Sequence, residues 1–163
     1  MVGLHATTIG AGPRLVLLHG FTQTSAAWAP VATRLAHRYE VTSVDLPGHG
    51  GSSAVDLDLP ETAAAVAAVA GRATYVGYSM GGRVALRLAL DRPDAVERLV
   101  LVGATAGIDD DGERAARRRD DEARAETIER EGVDAFLAGW LAQPLFAGLT
   151  PDPADLAARR ANP

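Results

Sequence analysis

Apolar residues in this chain gather in short, nearly continuous runs that close on glycine or turn residues. They lie at 14–20 (RLVLLHG), 39–50 (YEVTSVDLPGHG), 73–79 (ATYVGYS) and 96–104 (VERLVLVGA). A strand with one wet face alternates, whereas a continuous run suits a strand buried on both faces of a parallel sheet. Helical patterns lie between the runs, at 25–38 (SAAWAPVATRLAHR), at 59–71 (LPETAAAVAAVAG) and after Ser79, where Val84, Ala85, Leu88 and Ala89 share one face. The alternation predicts an α/β fold with a doubly wound, mostly parallel sheet. Sites in such sheets form at the carboxyl ends of strands. His19, Gly20, residues 45–50 and Ser79 all fall there.

The pattern changes at Ile108. Residues 108–132 read as a charged helix with few apolar anchors, and 133–149 as an apolar helix stopped near Pro144. A third helix starts within 150–163, with Thr150 or Asp152 as its cap. This tail is expected to form a helical lid, dividing the chain into a sheet-based core at 1–107 and a lid at 108–163.

Composition narrows the chemistry. At 163 residues the chain is long enough for one domain with a buried core. All sixteen cationic side chains are arginine, which excludes Schiff-base catalysis and a lysine-anchored pyridoxal cofactor. Without cysteine there is no disulfide, thiolate nucleophile or cysteine metal site. The net charge of −5 gives no reason to expect nucleic acid. LVLL is too short to span a bilayer, and no basic region with a long apolar run opens the chain. A soluble, cytoplasmic protein without metal or cofactor is expected.

One turn carries the candidate chemistry. In Gly77-Tyr78-Ser79-Met80-Gly81, glycines two before and two after the serine permit a sharp strand-to-helix turn that presents the hydroxyl above the sheet. After the first apolar run, the backbone N–H of Phe21 can face that serine. With the N–H of Met80 it would form an oxyanion hole. A serine hydroxyl reacts only once another group takes its proton. Four histidines are available, and none is an attractive acceptor. His19 suits a structural role in its turn, and His49, between glycines, suits loop shaping rather than proton transfer. His5 and His37 look peripheral, the latter on the polar face of a helix.

The stretches HGF, DLPGHGGSS and GYSMGG, in this order and spacing, resemble the α/β-hydrolase fold. HGFTQTSAAW, GYSMGGRVAL, the segment 113–146 and the closing LAARRAN are similar, more narrowly, to the 2-succinyl-6-hydroxy-2,4-cyclohexadiene-1-carboxylate synthase family of menaquinone biosynthesis. That resemblance implies cofactor-free elimination of pyruvate from an enolpyruvyl cyclohexene bearing several carboxylates. It implies Ser79 as the triad serine, acting as base toward a carbon-bound proton, and Phe21 and Met80 as oxyanion donors. Arg117, Trp140 and Arg160 match substrate-contacting positions. Arg83, one helical turn after Ser79, can lean back towards the same pocket. Arginine forks bind carboxylates in bidentate fashion, which suits such a substrate. From spacing alone, Arg117 better suits a solvated helix laced by ion pairs with Glu113 and Asp121, and only the family resemblance favours a ligand role.

The family order is serine, then acid, then histidine, and no histidine follows Ser79. The resemblance therefore implies further strands carrying the acid and the histidine, making this the N-terminal half and lid of a longer enzyme, inactive alone. The sheet edge beside 96–104 is then expected to be open and to invite self-association. Three functions fit: the pyruvate-eliminating synthase, a general α/β-hydrolase acting on esters, and a non-catalytic carboxylate-binding module.

Overall fold

The computed structural model describes residues 3–148, 150 and 153–162. Five strands form one sheet: β1 (Ala6–Ile9), β2 (Arg14–Leu18), β3 (Glu40–Val44), β4 (Ala73–Tyr78) and β5 (Val96–Val102), in the order β1-β3-β2-β4-β5. β2 pairs in parallel with β3 and β4, and β4 with β5. β1 runs antiparallel to β3 and pairs Ala6 with Val44. The apolar runs foretell β2 to β5 but not β1. Its sequence ATTI is half polar and mostly exposed, as an edge strand with one neighbour permits.

The core lies on both faces of the sheet because β2 is apolar at every inner position. Val16 and Leu18 pack with Val44, Tyr75, Val66 and Leu88 on one face. Leu15 and Leu17 pack with Val41 and Ala32 on the other. Helices α2 (Leu59–Ala70) and α3 (Met80–Asp91) cover the first face, and α1 (Ala29–Leu35) the second. α2 begins with a capping box in which Asp58 and Glu61 each accept the other's backbone N–H, at 2.8 and 3.0 Å. His37 sits in the turn after α1 rather than on a helical face. β5 departs from the doubly buried pattern of its sequence. It is an edge strand, with Val100, Leu101 and Val102 at 45%, 38% and 45% exposure.

The tail is helical. α4 (Asp111–Glu131) starts where Asp110 accepts the Glu113 N–H at 2.8 Å, and it buries none of its residues. Gly132, at φ 82°, turns the chain into α5 (Val133–Leu141), which buries Phe136 and Leu137. A 3-10 turn at Pro144–Phe146 follows, then α6 (Pro153–Arg160). The cap candidate Asp152 lies outside the described residues. No described helix is long and apolar enough to cross a membrane.

Candidate active site

β4 ends at Tyr78 and α3 begins at Met80, so Ser79 is the single residue between strand and helix. Its backbone lies at φ 50°, ψ −110°, a strained region for a residue with a side chain. The flanking glycines leave room for this turn. A Cβ at Gly77 would collide with the carbonyl of Gly81, and one at Gly81 with the carbonyl of Leu18. Ser79 N–H donates to the Val102 carbonyl at 2.8 Å and Gly81 N–H to the His19 carbonyl at 3.0 Å, which ties the turn to β5 and β2.

The loop after β2 faces this turn. Gln23 braces it twice: its Oε1 accepts the Gly20 N–H at 3.0 Å, and its own N–H donates to the Gly20 carbonyl at 3.1 Å. Thr22 is left-handed at φ 67°. Among the described residues, the N–H groups of Phe21 and Met80 donate to no protein acceptor, as donors reserved for a ligand oxygen would. Both residues line the same cavity as Ser79.

None of the four histidines borders that cavity. His19 is fully buried. The Leu46 N–H can only donate, so His19 Nε2 accepts it at 3.0 Å and Nδ1–H donates to the Gly20 carbonyl at 2.9 Å. Both ring nitrogens are thus occupied. Burial lowers its pKa to about 4, against the raising effect of the Gly20 carbonyl. His49 donates from Nδ1 to the Pro47 carbonyl at 2.9 Å and packs 5.1 Å from the His19 ring. Burial also moves its pKa down, opposed by that carbonyl and by Asp45. His5 is less peripheral than its sequence position suggests. Its Nδ1 lies 2.8 Å from Asp45, a buried carboxylate that also accepts the N–H groups of Ser25 and Gly51. Burial pushes the Asp45 pKa up, but these bonds outweigh it and hold the group below its ordinary range. The pair braces two loops beside the sheet.

The cavity measures about 810 Å³. Ser79, Met80, Arg83 and Phe21 lie on its sheet side, and Arg117, Arg124 and Trp140 on the side of α4 and α5. Trp140 meets Phe21 edge-on at 5.4 Å, stacks on Phe136 at 5.9 Å and lies 5.7 Å from Phe146. Helix α5 and the turn after it therefore rest an aromatic cluster on the loop that carries the Phe21 N–H. Arg117 Nε reaches both oxygens of Asp121 at 2.9 and 2.8 Å. Arg124 reaches the same carboxylate at 2.5 Å, with its guanidinium 5.9 Å from the centre of the Trp140 ring. Burial pushes the Asp121 pKa up, and the hydrogen bonds and charges of the two guanidinium groups together override it downward.

Arg160 is not on the cavity wall. Its Nε lies 3.2 Å from Asp134, and the side chain is 57% exposed. Arg159 takes the inward position, binding Asp155 at 2.7 Å and Thr22 Oγ1 at 2.6 Å. Successive helical residues point about 100° apart, so turning Arg159 inward turns Arg160 outward. Arg124, Asp121 and Arg159 are cavity residues that sequence reasoning missed. The spacing of 117, 121 and 124 on one helical face was a usable signal; nothing local distinguishes Arg159 from Arg160.

Charge is divided unevenly. Residues 108–163 hold thirteen acidic side chains against eight arginines, so the whole net charge of −5 belongs to this segment. Four arginines nevertheless border the cavity.

The chain belongs to the alpha/beta hydrolase family, whose pattern matches residues 15–163. Over 159 residues it is 36% identical to the 2-succinyl-6-hydroxy-2,4-cyclohexadiene-1-carboxylate synthase of Escherichia coli O1:K1 / APEC, covering 92% of this chain and 62% of that enzyme. It is 44% identical over 107 residues to the pimeloyl-[acyl-carrier protein] methyl ester esterase of Nitrosomonas europaea, covering 64% of this chain and 42% of that enzyme. Among solved structures, MenH from S. aureus superposes with a TM-score of 0.85 at 26% identity, over 99% of this chain and 66% of that one. The chain thus spans between 42% and 66% of the length of these relatives.

Proposed function

We propose that the chain supplies the sheet and lid of a lyase that eliminates pyruvate from 2-succinyl-5-enolpyruvyl-6-hydroxy-3-cyclohexene-1-carboxylate, giving 2-succinyl-6-hydroxy-2,4-cyclohexadiene-1-carboxylate. The observation that carries this reading is an arginine-lined cavity over a serine held in a strained turn. Arg83 and Arg117 are the leading carboxylate ligands, with Trp140 against the ring. The ring proton beside the succinyl ketone is acidic because its removal gives an enolate. Ser79 takes that proton, and the N–H groups of Phe21 and Met80 hold the enolate oxygen. The electron pair then forms the ring double bond, shifts the existing one, and breaks the bond from carbon to the enolpyruvyl oxygen. The leaving group becomes pyruvate on protonation.

Ester hydrolysis is the second reading, and the 44% identity to the methyl ester esterase favours it. That match is too short to contain both the sheet and the lid, whereas the synthase match covers 92% of the chain.

Ser79 needs a group to take its proton, and no histidine of this chain borders the cavity. Loss of a triad histidine costs on the order of a million-fold in turnover. The test is to assay the chain alone against the enolpyruvyl substrate, nitrophenyl esters and a fluorophosphonate. The assays are then repeated with a second polypeptide carrying the remainder of a synthase relative. Silence alone, followed by pyruvate release on complementation, is expected. Recovery of ester cleavage alone would overturn the synthase reading. Rapid labelling of the chain by itself would overturn the need for an outside proton acceptor.

A further inference from the structure

We propose that Arg124, together with Arg117, forms a second carboxylate subsite on α4, with Asp121 as a resident carboxylate that an incoming one displaces. This rests on the reading of the cavity as an anion-binding site. Residues 117, 121 and 124 are spaced by four and three positions, so they share one face of the helix. That face borders the cavity, as do Ala125 and Ile128 beside it. Asp121 Oδ1 accepts from both Arg117 Nε and Arg124 Nη1, so the two guanidinium groups converge on one carboxylate-sized place. Ordinary ion pairs along a wet helix contribute little and need no aromatic support. Here Arg124 is seated over Trp140, which itself packs on Phe21 beside Ser79.

The opposite wall supplies contrast. Arg83 has no carboxylate partner among the described residues, so its charge is available beside Ser79 from the start. Carboxylate positions at Arg83 on the sheet side and at Arg117 and Arg124 on the helical side of one cavity suit a ligand that carries two carboxylates. A ligand carboxylate entering between Arg117 and Arg124 replaces the Asp121 oxygens without leaving either guanidinium unpaired. Asp121 keeps both forks oriented beforehand, at the cost of competing with the ligand.

The experiment measures binding of 2-succinylbenzoate to the full chain by titration calorimetry, with benzoate as a single-carboxylate comparison. Arg124→Gln should weaken 2-succinylbenzoate by about tenfold or more while changing benzoate little. Asp121→Asn should tighten 2-succinylbenzoate several-fold by removing the competitor. Arg118→Gln, which alters charge on the same helix away from the main cavity, should leave both affinities unchanged. Melting temperatures and far-UV spectra guard against misfolded variants. If Arg83→Gln weakens binding and Arg124→Gln does not, the cavity reading stands and this subsite is refuted. No binding by the unsubstituted chain overturns both. Weaker binding by Asp121→Asn would overturn the resident-carboxylate role.

Discussion

Arg159, on α6, donates from Nη1 to Thr22 Oγ1 across 2.6 Å, joining residues 137 positions apart in the chain. Asn162 adds two bonds in the same place. Its Nδ2 donates to the Thr22 carbonyl at 3.1 Å, and its Oδ1 accepts the Gly50 N–H at 2.9 Å. Thr22 is a β-branched residue at φ 67°, a conformation that persists only when its surroundings hold it. Helix α6 and Asn162 after it therefore fix the loop that presents the Phe21 N–H. Arg159→Ala should speed amide hydrogen exchange at residues 20–23 and leave the central strands β2 and β4 protected. Unchanged exchange in the loop would mean that Gln23 alone holds it.

The glycines of the serine turn should be irreplaceable for steric reasons. Gly77→Ala and Gly81→Ala each place a methyl group inside backbone atoms that cannot move aside, and each should cost about 3 kcal/mol or more. Gly139, within α5, has nothing within 4 Å of where a Cβ would stand. Gly139→Ala should stabilise by about 0.5–1 kcal/mol through helix propensity. Urea denaturation of the three variants checks the contrast, and equal effects would contradict the geometry.

Acid should weaken the fold through its buried histidines. His19 is fully buried, and its pKa falls from 6.5 to about 4 on folding, chiefly through burial. Between those values the unfolded chain binds a proton that the folded chain does not. Stability therefore drops as pH falls through this window, by on the order of 3 kcal/mol in all. His49 is lowered too and adds in the same direction. Asp45 acts later, because its stabilising contribution is lost only below its ordinary pKa of 3.8. Denaturation midpoints measured across this range should slope downward towards acid, and the slope should lessen in His19→Gln. A flat profile would contradict a neutral, buried His19.

The β5 edge carries the next expectation. Val100, Leu101 and Val102 stand 45%, 38% and 45% exposed on a strand that β4 covers on one side only among the described residues. Open apolar edges pair with other chains. Sedimentation of residues 1–163 should show concentration-dependent association, and Val100→Lys should reduce it. A monomer at all concentrations would count against this edge as an association surface.

Much of the fold was legible because its causes are local. A strand buried on both faces needs a continuous apolar run, and β2 shows one; β3 and β4 are marked by β-rich runs closing on turn residues or glycine, although each keeps partly exposed positions. β5 carries the same signature although its edge is open here. The serine turn needs glycine two residues to each side, and that requirement is written into Gly77 and Gly81. β1 was illegible because a four-residue, half-polar edge strand has no period to detect; only its pairing with β3 defines it.

The sequence by itself determined the parallel sheet, the strained position of Ser79, the arginine-only basic set and the charged helix α4. These follow from sterics and periodicity within a few residues. Tertiary structure alone decided that Arg159 rather than Arg160 turns inward, that Arg124 joins Arg117 on Asp121, and that His5 holds Asp45. It also decided that both nitrogens of His19 are spent on the backbone. Each of these depends on how one element is rotated against another far away in the chain. Side-chain direction at a helix end is set by the partner it meets, and for Arg159 that partner is Thr22.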